Sequence, residues 1–128
     1  MRADTRVLYS TSDGRLTMRE AQGWVLTAVA DMSGQVIQEA RIALSELAPS
    51  IRVLEACPEA AGEGKKKPVE VFLGFTPEGD QLCAGVTEDG VVMLEVSADG
   101  VARRLLCGPY PLSEAGRMAE AVVKASAG

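Results

Sequence analysis

A two-layer α+β sandwich is the architecture expected of this chain, with an antiparallel meander as one layer and amphipathic helices as the other. Tight-turn dipeptides separate short apolar runs over residues 69–107, and apolar residues within those runs alternate with period two. The flanking segments instead place apolar residues at three- and four-residue steps. The 128 residues suit one α+β domain, 1–128, long enough to bury a core without metal or disulfide staples.

In chain order, Asp13-Gly14 marks a hairpin pairing 5–10 with 15–18, because Asp and Gly both tolerate the positive φ of a tight turn. A long amphipathic helix is expected over about 17–48. Thr17-Met-Arg-Glu20 has capping-box spacing, and Met18, Ala21, Val25, Val29, Met32, Val36, Ala40, Ala43 and Leu47 form the apolar stripe. Glu20, Gly23, Thr27, Asp31, Gly34, Gln38, Arg41 and Ser45 lie opposite, and Pro49 supplies the stop. The rival reading makes 24–42 a hairpin, Trp24–Ala30 against Gln35–Ile42, which accounts for Gly34 and the β-branched residues.

Ile51–Cys57 alternates weakly and fits an edge strand or a helical turn. Residues 58–68, rich in Gly and Lys, are expected to be a flexible loop. The meander follows, with strands 69–75, 81–87, 91–97 and 101–107. Pro77-Glu-Gly-Asp80, Glu88-Asp-Gly90 and Ala98-Asp-Gly100 are its turns. A C-terminal helix over about 113–126 has Ser113 as N-cap and Leu112, Ala115, Met118, Ala119 and Val122 as its apolar face.

Composition excludes several functions. Thirteen Lys and Arg against eighteen Asp and Glu leave a net charge of −5, the wrong sign for a general phosphate-binding surface, so no nucleic acid is expected. No run approaches the ~18 apolar residues of a membrane span, and Met1–Val7 carries no signal-type apolar stretch. Cys57, Cys83 and Cys107 are odd in number and widely spaced, which fits reduced thiols and a cytoplasmic location. The chain contains no histidine, which removes the common proton shuttle and most zinc sites. Nor does it carry C-x-x-C, G-x-S-x-G or G-x-G-x-x-G. Gly62-Glu-Gly-Lys-Lys-Lys67 lacks both the first glycine and the Ser or Thr of a phosphate loop. An enzyme, a cofactor and a metal are therefore not expected.

Asp31-x-x-Gly34-x-Val36-Ile37 resembles the hairpin of roadblock-type regulatory domains. The resemblance implies a roadblock- or profilin-like sheet with 24–42 as a β-hairpin, although the N-terminal segment lacks the helix with which those domains begin.

What remains points to contact between proteins. A meander with Val, Leu and Met on both faces leaves apolar surface once helices cover one of them, and such a patch marks an association surface. The expected function is a non-catalytic protein–protein interaction or assembly module, a homodimer or a subunit of a complex. Trp24, Phe72, Met93 and Tyr110 are the expected interface residues: aromatic anchors plus one adaptable thioether. Arg103 and Arg104 are adjacent on one strand and so face opposite ways, and either is a candidate for binding an anion. Two alternatives stay open. One is a small-ligand-binding protein or unusual enzyme with a pocket between sheet and helices. The other is an acidic inhibitor, immunity protein or secretion-type chaperone that meets a basic partner.

Overall fold

A computed structural model describes residues 5–55, 69–100 and 103–127. It is an α+β structure: eight antiparallel strands follow one another in a single open sheet, and two helices pack against it. The strands are β1 (Arg6–Ser10), β2 (Leu16–Ala21), β3 (Trp24–Ala30), β4 (Val36–Ala43), β5 (Val69–Phe75), β6 (Gln81–Thr87), β7 (Gly90–Val96) and β8 (Arg103–Tyr110). Helix α1 (Leu44–Ile51) runs into a 3₁₀ turn (Arg52–Glu55), and α2 (Ser113–Ala127) closes the order. No helix among the described residues is long and apolar enough to cross a membrane.

The chain builds one pattern twice, four strands and then a helix. Corresponding turns share their chemistry. The Gly14 amide bonds to the Thr11 carbonyl, and the Gly79 amide bonds to the Thr76 carbonyl, both at 2.9 Å. In each turn the buried threonine hydroxyl then accepts an amide further on, from Leu16 at 3.1 Å and from Asp80 at 3.0 Å. The next wide turns match as well, Gly34 to Asp31 and Gly100 to Ser97. The two halves meet at one bridge, Arg41 opposite Phe75. Gly74 permits that approach, because a Cβ there would stand 2.7–2.9 Å from three backbone atoms of Arg41.

The expected helix over 17–48 is corrected by this structure. Residues 16–43 form three strands, and helix begins only at Leu44. The physical reason lies in the spacing. A step of four residues is even, so Val25 and Val29, one helical turn apart, also share one face of a strand. The Gln22-Gly23 turn, both residues at positive φ (54° and 86°), joins β2 to β3 in the manner of a two-residue hairpin. Thr17 and Glu20 lie on β2 rather than on a cap. Pro49 sits inside α1 instead of ending it. Ser113 is the first residue of α2, whose leading amides bond to the Pro111 and Leu112 carbonyls. Cys57 and the expected 58–68 loop lie outside the described residues.

Both helices lie on the inner face of the sheet. Leu47, Ile51 and Leu54 meet Ala115, Met118, Ala119 and Val122 over a floor that includes Leu16, Met18, Val25, Val29, Leu73, Leu82 and Met93. Full burial of each large side chain in that layer is worth roughly 1.5–3 kcal/mol. The sheet coils until its first turn reaches its last strand. There Arg15 donates to the Ala30 carbonyl at 2.7 Å and to the Leu106 carbonyl at 3.0 Å. The opposite, outer face of β2–β5 carries no helix among the described residues.

Candidate functional site

Strand alternation sets what that outer face presents. Along β3, Val25, Thr27 and Val29 are buried inward while Trp24, Leu26 and Ala28 point out. Along β4, Ala40 and Ile42 are buried, and Ile37, Glu39 and Arg41 are exposed. Register aligns them into rows across the sheet. Arg19, Leu26, Arg41 and Phe75 form one row over four strands. Thr17, Ala28 and Glu39 form the next.

The exposed apolar members are large: Trp24 is 41% accessible, Leu26 37%, Ile37 39% and Phe75 57%. The Arg41 guanidinium carbon lies 4.4 Å from the centre of the Trp24 ring, a cation–π contact that holds the indole in place. On the other side Phe75 meets Phe72 edge-on with ring centres 4.8 Å apart. A groove of about 670 Å³ runs between these groups, lined among others by Arg19, Trp24, Leu26, Glu39, Arg41 and Phe75. Arg19, Glu39 and Arg41 are absent from the ion pairs formed among the described residues. Three charged groups therefore border the apolar strip with no opposite charge of their own.

The residues expected at an interface separate in this geometry. Trp24 is exposed on the outer face at the start of β3, beside the Gln22-Gly23 turn. Phe72 is half-buried behind Phe75. Met93 is fully buried and has no surface to offer a partner: it faces the helices, because β7 turns that parity inward. Tyr110 is half-buried at the far end of β8, where its hydroxyl donates to the Asp13 carboxylate at 3.1 Å. Burial, followed by the Cys107 and Asp13 contacts, pushes the Tyr110 hydroxyl well above the usual tyrosine range. Burial acts to raise the Asp13 carboxyl too, but bonds from the Thr11 hydroxyl, the Arg15 amide and Tyr110 outweigh it and hold it low. Tyr110 thus fastens the sheet's two ends together.

Arg103 and Arg104 do project to opposite faces, and each has a carboxylate. Arg103 pairs with Glu70 across the outer face. Arg104 donates to Glu95 through Nε at 3.1 Å and a terminal nitrogen at 2.6 Å. Burial alone would raise the Glu95 carboxyl, yet Gln38 and Arg104 hold it below its ordinary value. An anion at either arginine would have to displace an existing partner. The thiols of Cys83 and Cys107 are buried and free, and burial pushes both up, which leaves them protonated and poor nucleophiles. Among the described residues no group of three Cys, Asp or Glu side chains is placed to hold a metal ion.

None of Leu26, Ile37, Phe75, Arg19, Glu39 and Arg41 is among the interface or anion-binding residues expected from the sequence. The signal that finds Leu26, Ile37, Glu39 and Arg41 is the two-residue alternation of β3 and β4, legible once Gln22-Gly23 is taken as a turn; Arg19 and Phe75 join them through strand register. Comparison with family models, with curated proteins and with solved structures finds no match.

Proposed function

We propose that this chain is a non-catalytic protein-association module that works through the outer face of β2–β5. One observation carries the reading. Trp24, Leu26 and Phe75, none of them less than 37% exposed, stand on one face of the sheet around Arg41, and Arg19, Glu39 and Arg41 beside them form no ion pair among the described residues. Trp and Arg are the residue types that dominate binding hot spots, because they bury large areas and satisfy directional bonds together. Arg41 braces Trp24 before any partner arrives, so ordering the anchor costs little conformational entropy on association.

A photoreactive side chain at Leu26 tests this in the native host, with the same group at exposed Glu120 on α2 as the control. The expected outcome is a covalent protein adduct at position 26 that disappears when Trp24→Ala is added, with none at position 120. Absence of any Trp24-dependent adduct at position 26 contradicts the proposal.

A further inference from the structure

We infer that the occupant of this face is a second copy of the chain, related by a two-fold axis that crosses the strands between the Leu26–Arg41 row and the Ala28–Glu39 row. The inference rests on the reading above, that this face is an association surface. A two-fold contact joins one patch to itself, so the patch must be self-complementary about the axis. β4 meets that condition. Glu39 and Arg41 project from the same face two residues apart, a separation of roughly 6.5–7 Å along a strand. Neither has an ion-pair partner among the described residues. The axis between them lays Glu39 of one copy over Arg41 of the other, and repeats the pair in the opposite sense.

The remaining positions fall into place by the same operation. Leu26 of each copy comes to rest over Ala28 of the other, a large side chain over a small one. Arg19 comes over Thr17, a guanidinium over a hydroxyl. Trp24 comes over the Ala30 and Ile37 end of the facing sheet, where Ala30 is buried and low while Ile37 is exposed. Sheets packed face to face lie about 10 Å apart, a gap that an arginine and a glutamate close together. A two-fold axis directed along β3 would instead set Arg19 over Arg41, cation on cation, and is rejected for that reason. The alternation of charge on β4 therefore makes this patch complementary to itself about an axis across the strands.

Light scattering of the purified chain at tens of micromolar, with Glu39→Arg, Arg41→Glu and the combined variant, tests the inference. Far-ultraviolet circular dichroism controls for folding. Wild type is expected at the mass of two chains. Each single reversal sets like charges against each other twice per dimer and weakens association by about tenfold or more. The combined variant restores the two-chain mass, because the reversed pair is again self-complementary. A wild-type chain that stays at the mass of one copy overturns the inference, as does a combined variant no stronger than the single ones. The two readings separate cleanly. A monomeric pure chain that still yields a Trp24-dependent adduct with a different protein removes the second copy and leaves the association surface. A monomer without any such adduct removes both.

Discussion

Thr27 carries a hydroxyl that the fold does not satisfy. Its residue is 1% exposed, and its buried Oγ1 has no hydrogen-bond partner among the described residues. On the inner face of β3 it stands between Met18 and Ala40, its cross-strand neighbours, and neither side chain can accept or donate usefully. An unsatisfied buried hydroxyl costs about 1–3 kcal/mol, whereas valine of nearly the same shape carries no such penalty. Thr27→Val is therefore expected to raise unfolding stability by about 1 kcal/mol, read as a higher urea midpoint at unchanged slope. An unchanged or lower midpoint would mean that the hydroxyl has a partner after all. The equivalent hydroxyls of Thr11 and Thr76 behave differently because each accepts an amide within its own turn, so the same substitution there should destabilise.

At the scale of elements, legibility in the sequence followed the turn chemistry. Asp89-Gly90 and Asp99-Gly100 announced β6 through β8 because Asp-Gly needs no tertiary help to turn. Ala21-Gln22-Gly23-Trp24 does the same work as those turns, but glutamine is an unusual residue at positive φ. The break between β2 and β3 was hidden by that, and an unbroken 17–48 segment then read as helix. In that helix Arg41 belongs to the polar stripe, and neither it nor Leu26 shares a face with Trp24 as they do on the sheet. Met93 was misjudged for another reason. Alternation shows which residues share a face, but which face the helices cover depends on where α1 and α2 dock. The junction of β4 and β5 was invisible because it depends on one residue pair and one glycine. Gly74 adopts φ of 142° with the Arg41 backbone pressed against it. Gly74→Ala is expected to lose at least about 2 kcal/mol, through both backbone strain and displacement of β4. Chemical denaturation checks this, and an effect confined to a few tenths of a kcal/mol would show that the two halves do not depend on that approach.

The whole molecule is two similar halves whose shared sheet coils around a helical core, with its ends fastened by Arg15 and Tyr110. Coiling places the core on one side and leaves the other side of β2–β5 without a helix among the described residues, so the fold itself creates the face that carries Trp24. The chain is acidic overall, at −5, yet this face carries Arg19 and Arg41 with Glu39, and the Glu39–Arg41 pair on β4 is what suits it to meeting its own kind. Trp24 is the only tryptophan, so its emission reports on this face alone. Fluorescence of the unlabelled chain, followed with acrylamide quenching on dilution from tens of micromolar to nanomolar, is the most direct measurement. An indole that is blue-shifted and shielded when concentrated, and red-shifted and readily quenched when dilute, is the expected result. An indole equally open to quencher at every concentration would contradict it.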